Sequence, residues 1–194
     1  MHKMVATASE NSVFKVTDLA LQIAITERLN LQVVEIRYIP EFNGLGIFAK
    51  KDFKVGELVV IGIQTMPAPQ KSIHSITGPD GNEYIYDHIA ETINHNCDPN
   101  TGPLQTGESW SFYARKEIKA GDEITWAYDW TEPVIGHFNG EGDKGGQCLC
   151  GSAACRTPLK GFNKLNPEQF ETIQRQKSEL KAAKDRVMPP VRSS

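Results

Sequence analysis

Apolar and polar positions alternate over short stretches through most of the chain, and only near its two ends does a helical spacing replace them. Leu31 to Ile39 alternates well enough for a strand. Pro40 to Gly46, with two glycines, reads as a turn; Ile47-Phe48-Ala49 as a short strand; Lys54-Val55-Gly56 as a turn; and Glu57 to Ile63 as a further apolar strand. Thr65 to Asn82 contains three prolines and two glycines and ends in Pro79-Asp80-Gly81, a turn signature. Tyr84-Ile85-Tyr86 is a strand leading into a brief helical turn. Ser109 to Ala114 and Glu123 to Tyr128 are further strands, the turn at Lys119-Ala120-Gly121 lying between them. Short strands with frequent turns predict a mainly β packing of small sheets.

At the N-terminal end, residues 1–16 are polar and unpatterned. Thr17-Asp18 can cap a short helix through Leu19, Leu21, Ile23, Ile25 and Leu29, although these residues also partly alternate and leave a strand open. After Lys164 the pattern is helical. Asn166 caps, Pro167 suits the first helical position and Gln169 completes a capping box. Phe170, Ile173, Leu180 and Val187 fall near one face, Glu171 and Arg175 form an i,i+4 pair, and Pro189-Pro190 stops the helix. A helix packed on the domain is preferred here to one that binds a partner. Thr131 to Gln147 carries five glycines (136, 140, 142, 145 and 146) with no apolar period, and reads as a mobile connector. The chain thus divides into a flanking segment (1–30), a main domain (31–130), the connector (131–147), a cysteine segment (148–164) and a helix with its tail (165–194).

The 194 residues suit one domain, and a composition of 39% hydrophobic and 23% charged residues is that of a globular protein. No apolar run reaches the roughly 20 residues that span a bilayer. The first residues show no apolar core of a signal peptide, so an intracellular protein without a membrane role is expected. Nucleus and cytoplasm are not distinguished, because Lys50-Lys51 is too short for an import signal. A net charge of -3 lacks the basic excess that neutralises phosphates, and no direct nucleic-acid binding is expected. Oligomeric state is left open. In a reducing compartment the four cysteines are metal ligands rather than disulfides. Cys148, Cys150 and Cys155 cluster as Cys-x-Cys-x4-Cys, and a tetrahedral zinc needs a fourth ligand, for which only Cys97 is left.

The chemistry concentrates in Ile93-Asn94-His95-Asn96-Cys97-Asp98-Pro99-Asn100, poor material for a helix or a central strand. Upstream lies Asn43-Gly44-Leu45-Gly46-Ile47-Phe48-Ala49. Downstream lie Gly121-Asp122-Glu123-Ile124-Thr125-Trp126-Ala127-Tyr128 and Cys148-Leu149-Cys150-Gly151-Ser152-Ala153-Ala154-Cys155-Arg156. In this order and spacing, from about Val33 to Phe162, the chain resembles SET-domain protein lysine methyltransferases carrying a post-SET zinc segment. The resemblance implies a β-clip fold of small sheets with a pseudoknot, in which the Tyr128 strand is tucked beside the Asn-His turn. It also implies S-adenosylmethionine contacted by Gly44, Leu45, Gly46, Asn94 and His95, and structural zinc on Cys97, Cys148, Cys150 and Cys155. The connector is expected to order only when zinc is bound, with or without the cofactor.

By the same resemblance Tyr128 is the catalytic residue, at the meeting point of sulfonium and amine. Trp126 stands where bulk can limit the number of methyl groups. Tyr84 or Tyr86 either lends the lysine channel a hydroxyl or fills the core, the core being slightly preferred. The short Thr65–Asn82 insert implies a small, open groove. Departures from the family pattern are Glu91-Thr92 before the Ile-Asn-His run, Thr157 after Cys155-Arg156, and Asp129-Trp130 after the tyrosine; they leave the activity reading intact and loosen the substrate class. The expected function is methylation of a protein lysine, histone lysine leading, with a non-histone protein or small amine as one rival. The other rival, a catalytically silent zinc-stabilised binding module, would not need the glycine, Asn-His and tyrosine positions together.

Overall fold

The computed structural model describes residues 18–72, 74–135 and 147–188. The chain starts with helix α1 (Leu19–Val33), whose cap Asp18 accepts the amide of Leu21. Strands β1 (Val34–Ile39) and β2 (Gly44–Ala49) follow as a hairpin registered from Val34 opposite Ala49 to Ile39 opposite Gly44. Next come β3 (Leu58–Ile61), β4 (Gln64–Pro67), β5 (Ser75–Thr77), β6 (Glu83–Tyr86) and the one-turn helix α2 (His88–Glu91). Then follow β7 (Asn94–His95), β8 (Thr101–Thr106), β9 (Ser109–Ala114) and β10 (Glu123–Trp126), a 3-10 turn at Tyr128–Trp130, a second at Phe162–Lys164, and α3 (Pro167–Val187).

The strands form three small sheets, ordered β1-β2-β10-β7, β3-β9-β8 and β4-β6-β5. The mainly β expectation is met, and β10 is the strand that ties the fold. It runs antiparallel to β2 and parallel to β7, with Thr125 opposite Asn94 and Trp126 opposite His95. The segment after β7 clasps it from the other side. Asn100 donates to the Glu123 carbonyl and accepts the Thr125 amide, at 2.8 and 2.9 Å, and Thr101 donates to the Thr125 carbonyl at 2.8 Å. These bonds give the tucked tyrosine strand expected from the resemblance.

The main core gathers Ile47, Phe53, Val60, Phe112, Ile118 and Trp126 between the sheets. A smaller one joins Tyr113, Ala127 and Trp130 to Ile173 and Leu180 of α3. Gly102 in β8 is where α3 and Trp130 close on the sheet, since a Cβ there would stand 2.2 Å from the indole ring. The capping box at Asn166 and Gln169 forms as expected. Phe170 and Val187 are exposed because the helix touches the sheet only along its middle, at Ile173, Leu180 and Ala183. Arg175 pairs with Glu179 rather than Glu171.

Other boundaries shift for local reasons. The N-terminal apolar segment is a helix, and it runs to Val33, so the strand expected from Leu31 begins at Val34. Its buried residues are Thr26 and Asn30, not its leucines, because Asn30 replaces a strand neighbour: it exchanges two hydrogen bonds with the backbone of Ile61 at 2.8 and 2.9 Å. The turn after Ile39 closes already at Asn43, which takes the left-handed conformation at φ 51°, and the two glycines lie inside β2. Tyr128 belongs to the 3-10 turn, one residue beyond the end of β10 and its neighbour Ala127. Most of the glycine-rich connector, 136–146, lies outside the described residues, as do 189–194. Its first five residues, however, are packed rather than loose: Glu132 and Ile135 are buried.

Candidate active site

Two surfaces meet at Tyr128. On the first, β7 and β10 lie side by side, bringing Asn94 to Gly44-Leu45-Gly46 of β2. Both amide hydrogens of Asn94 go to the protein, to the Leu45 carbonyl and to Glu123 Oε1, each at 2.8 Å. Gly46 has a packing reason as well, since a Cβ there would stand 2.8 Å from that Glu123 oxygen. The His95 ring is committed on both nitrogens. Nδ1 accepts the Tyr128 amide at 3.1 Å, which leaves the proton on Nε2, 3.2 Å from Cys97 Sγ. Burial, helped by the charge of Arg156, holds its pKa at about 4, so the ring is neutral near pH 7. Asn94 and His95 therefore turn structural side chains inward.

Behind this surface the four cysteine sulfurs lie within 4.8 Å of one another. Cys97 and Cys148 are 3.8 Å apart. A tetrahedral ion with metal–sulfur bonds near 2.3 Å has sulfur–sulfur edges of about 3.8 Å, so the donor set fits a zinc-sized ion. As thiols the pair is disfavoured from ionising, burial pushing Cys97 up to about 11, and a bound cation would reverse that. Arg156 fastens the cluster to the tyrosine turn. Its amide donates to Cys97 Sγ at 3.2 Å, and its guanidinium to the Cys97 carbonyl and to Asp129 Oδ2, each at 2.6 Å.

On the second surface Tyr128 faces a cleft of about 550 Å³, counted with its open mouth. Ile76, Ile93, Trp126 and Ile135 give it an apolar lining, and Lys71 and Glu132 are among its polar groups. The Tyr128 hydroxyl donates to the Ile93 carbonyl at 3.1 Å, and burial pushes its pKa well up, so it stays a neutral phenol. Its ring lies 4.9 Å from that of Trp126, which packs in turn on Phe112. Tyr86 is a core residue whose hydroxyl accepts the Trp110 amide, its pKa raised by burial to about 12. Tyr84 bonds Asp80 at the edge of the β5-β6 hairpin. Neither lines the cleft. The residues that sequence reasoning missed are Lys71, Thr77, Glu83 and Glu132, a hydrogen-bonded polar cluster of which Lys71 and Glu132 line the cleft. Its one linear signal is Glu132 heading Pro133-Val134-Ile135, an apolar run before the glycines.

Together these features define a clasped β domain with a tyrosine between a cleft and a metal-ligand cluster. Comparison with known proteins points the same way: residues 44–129 match the SET domain model. Mouse and human histone-lysine N-methyltransferase SETD2 are each 30% identical to it over 112 residues, 51% of this chain. The matched part is 4% of those relatives' length. Two crystal structures of KRYPTONITE share the fold. One, with mCHG DNA and SAH, aligns at TM-score 0.51 and 18% identity over 66% of this chain and 28% of the other. The second, with mCHH DNA, an H3(1-15) peptide and SAH, aligns at TM-score 0.52 and 19% identity over 65% and 29%. Among the described residues no helix is long and apolar enough to cross a membrane.

Proposed function

We propose that this domain transfers a methyl group from S-adenosylmethionine to a lysine of a protein, histone lysine being the leading substrate. The observation that carries the reading is the hydrogen bonding of Tyr128. Its hydroxyl proton goes to the Ile93 carbonyl, so its lone pairs are left to accept from a group entering the cleft. Lysine titrates near ~10.4 in water, and transfer needs the neutral amine. The apolar lining formed by Ile76, Ile93, Trp126 and Ile135 favours loss of that proton. S-adenosylmethionine, when bound, would supply an electrophilic methyl on a sulfonium, and the neutral amine would displace the thioether, which would leave with the C–S electron pair. The tyrosine oxygen orients the amine in line, and Trp126 narrows the space beside it.

Gly44, Leu45 and Gly46 with the backbone of Asn94 and His95 would receive the cofactor. The Asn94 side chain acts by holding Leu45 and Glu123 in place. Cys97, Cys148, Cys150 and Cys155 would hold a structural zinc, closing the segment beyond the connector onto the site. The SETD2 relatives and the H3 peptide in the KRYPTONITE complex support a histone substrate and with it a nuclear setting. A non-histone protein is the second reading, because the wall built from the insert is short.

Transfer of tritium from labelled S-adenosylmethionine to core histones and to a whole-cell protein extract tests this. Label lost at least 100-fold in Tyr128→Phe, with cofactor affinity retained, is expected. Label confined to the extract moves the substrate away from histones. Failure of the zinc-loaded wild type to bind the cofactor overturns the reading.

A further inference from the structure

The insert supplies part of the cleft lining beside Val134 and Ile135, and the Glu132 carboxylate joins it to the tyrosine turn. Glu132 is 5% exposed. Its Oε1 accepts the Thr77 amide and the Thr131 hydroxyl, each at 3.0 Å. Its Oε2 pairs with Lys71 and lies 3.0 Å from the Thr77 hydroxyl, whose one proton it shares with Glu83 Oε1 at 2.7 Å. The backbone of the same residue ties two more pieces: its amide donates to the Tyr128 carbonyl and its carbonyl accepts the Phe162 amide, both at 2.9 Å. Lys71 uses its three protons inside the cluster, on Glu132, on Glu83 at 3.2 Å and on the Thr77 hydroxyl at 3.3 Å. Every donor that reaches the Glu132 carboxylate, apart from neighbouring Thr131, belongs to residues 71–77.

We propose that Glu132 is a positioning residue of the substrate channel, its carboxylate fastening the Lys71–Thr77 wall at a set distance from the turn that carries Tyr128. A fold-stabilising carboxylate would have no need to sit in the cleft lining, where both Glu132 and Lys71 are found. Nor would it select partners from one wall only. The clasp fixes the width of the cleft where a substrate would enter, whereas neither Asn94 nor the four cysteines are among the residues lining it. Its loss should therefore loosen the substrate and leave the cofactor alone. The channel role rests on the methyltransferase reading above; the clasp itself does not.

The test uses Glu132→Gln, which keeps the shape and removes the charge, Glu132→Ala, and Lys71→Met, alone and combined with Glu132→Gln. Amide exchange followed by mass spectrometry should show residues 75–77 losing protection at least tenfold in Glu132→Ala, with β7 and β10 unchanged. S-adenosylmethionine affinity should stay within twofold. Transfer to core histones should show KM raised fivefold or more with kcat less than halved, and the double variant should be no worse than the poorer single one. Unchanged protection of residues 75–77 overturns the clasp. A fall in kcat at constant KM, or effects that add in the double variant, overturns the positioning role. If wild type transfers no label to histones or extract, the methyltransferase reading has failed, and the exchange result alone decides whether Glu132 is a clasp.

Discussion

The turn that carries Tyr128 is flanked by two buried carboxylates, and they are satisfied in different ways. Asp129, 1% exposed, relies on Arg156 through one oxygen, while its Oδ1 finds no hydrogen-bond partner among the described residues. Glu132 is met by Lys71, the Thr77 amide and the Thr131 hydroxyl, and it shares the Thr77 hydroxyl with Glu83. The donors to Glu132 come from its neighbour and from an insert already held by β4-β6-β5 pairing. The partner of Asp129 sits next to Cys155, on a segment with little secondary structure of its own between 147 and 161. One side of Tyr128 is thus fastened by the fold itself, and the other by a segment whose position depends on four thiols converging. The proposed cofactor side is therefore conditional, and the proposed substrate side is built in.

The largest effect expected from this asymmetry comes from the metal. Chelation, or Cys148→Ser, should release residues 147–160, whose contacts to the body run through Cys97, Asn96 and Asp129. Limited proteolysis should then cut in this segment at least tenfold faster, and S-adenosylmethionine binding should fall below detection by calorimetry. The sheet β4-β6-β5 should keep its amide protection throughout. If the insert loosens together with the cysteine segment, the two sides are one cooperative unit and the contrast fails.

Arg156→Ala is the next step down, because it removes the link and leaves the ligands. It strands Asp129 as a buried carboxylate with only Lys177 to oppose its charge, burial already raising its pKa. A loss of about 2–3 kcal/mol in urea unfolding is expected, the size of leaving a buried charged group without its partner. Adding Asp129→Asn should recover part of it. Full stability of the single variant would mean that the sulfur cluster, not this ion pair, carries the attachment.

How much of this was legible in the chain follows the same division. Gly44-Leu45-Gly46, Asn94-His95 and the Cys148–Cys155 cluster are short local motifs, and the structure brings Asn94 to Leu45, and Cys97 to the other three cysteines. The capping box of α3 was equally plain, being a local rule between Asn166 and Gln169. The clasp was not legible, because Lys71 and Glu132 stand 61 positions apart and neither has a motif. Strand β8 hid for another reason: Thr-Gly-Pro reads as a turn, but here Gly102 is required by Trp130 and Leu180, contacts made far away in sequence. The same holds for α1, where a polar Asn30 is buried and the leucines are not, because its partner is the edge backbone of Ile61 rather than a core. Tertiary contact overrides pattern at each of these places.

The smallest effect separates two tyrosines two residues apart on β6, Tyr86 and Tyr84, and it probes how far the built-in side extends. Tyr86 is buried, and its hydroxyl accepts the Trp110 amide and bonds Gln64, each at 3.3 Å. Tyr86→Phe leaves that amide short of an acceptor and should cost about 1 kcal/mol, read in urea unfolding. The Tyr84 hydroxyl bonds the exposed Asp80 while its ring packs on the core, so Tyr84→Phe, which keeps the ring, should leave the unfolding midpoint where it is. Both variants should transfer methyl groups at the wild-type rate, since neither hydroxyl lines the cleft. A drop in kcat for Tyr84→Phe would show instead that the hairpin edge folds over the bound substrate. The wall would then extend beyond the stretch that Glu132 fastens, and the substrate side would be conditional too, on the substrate rather than on a metal.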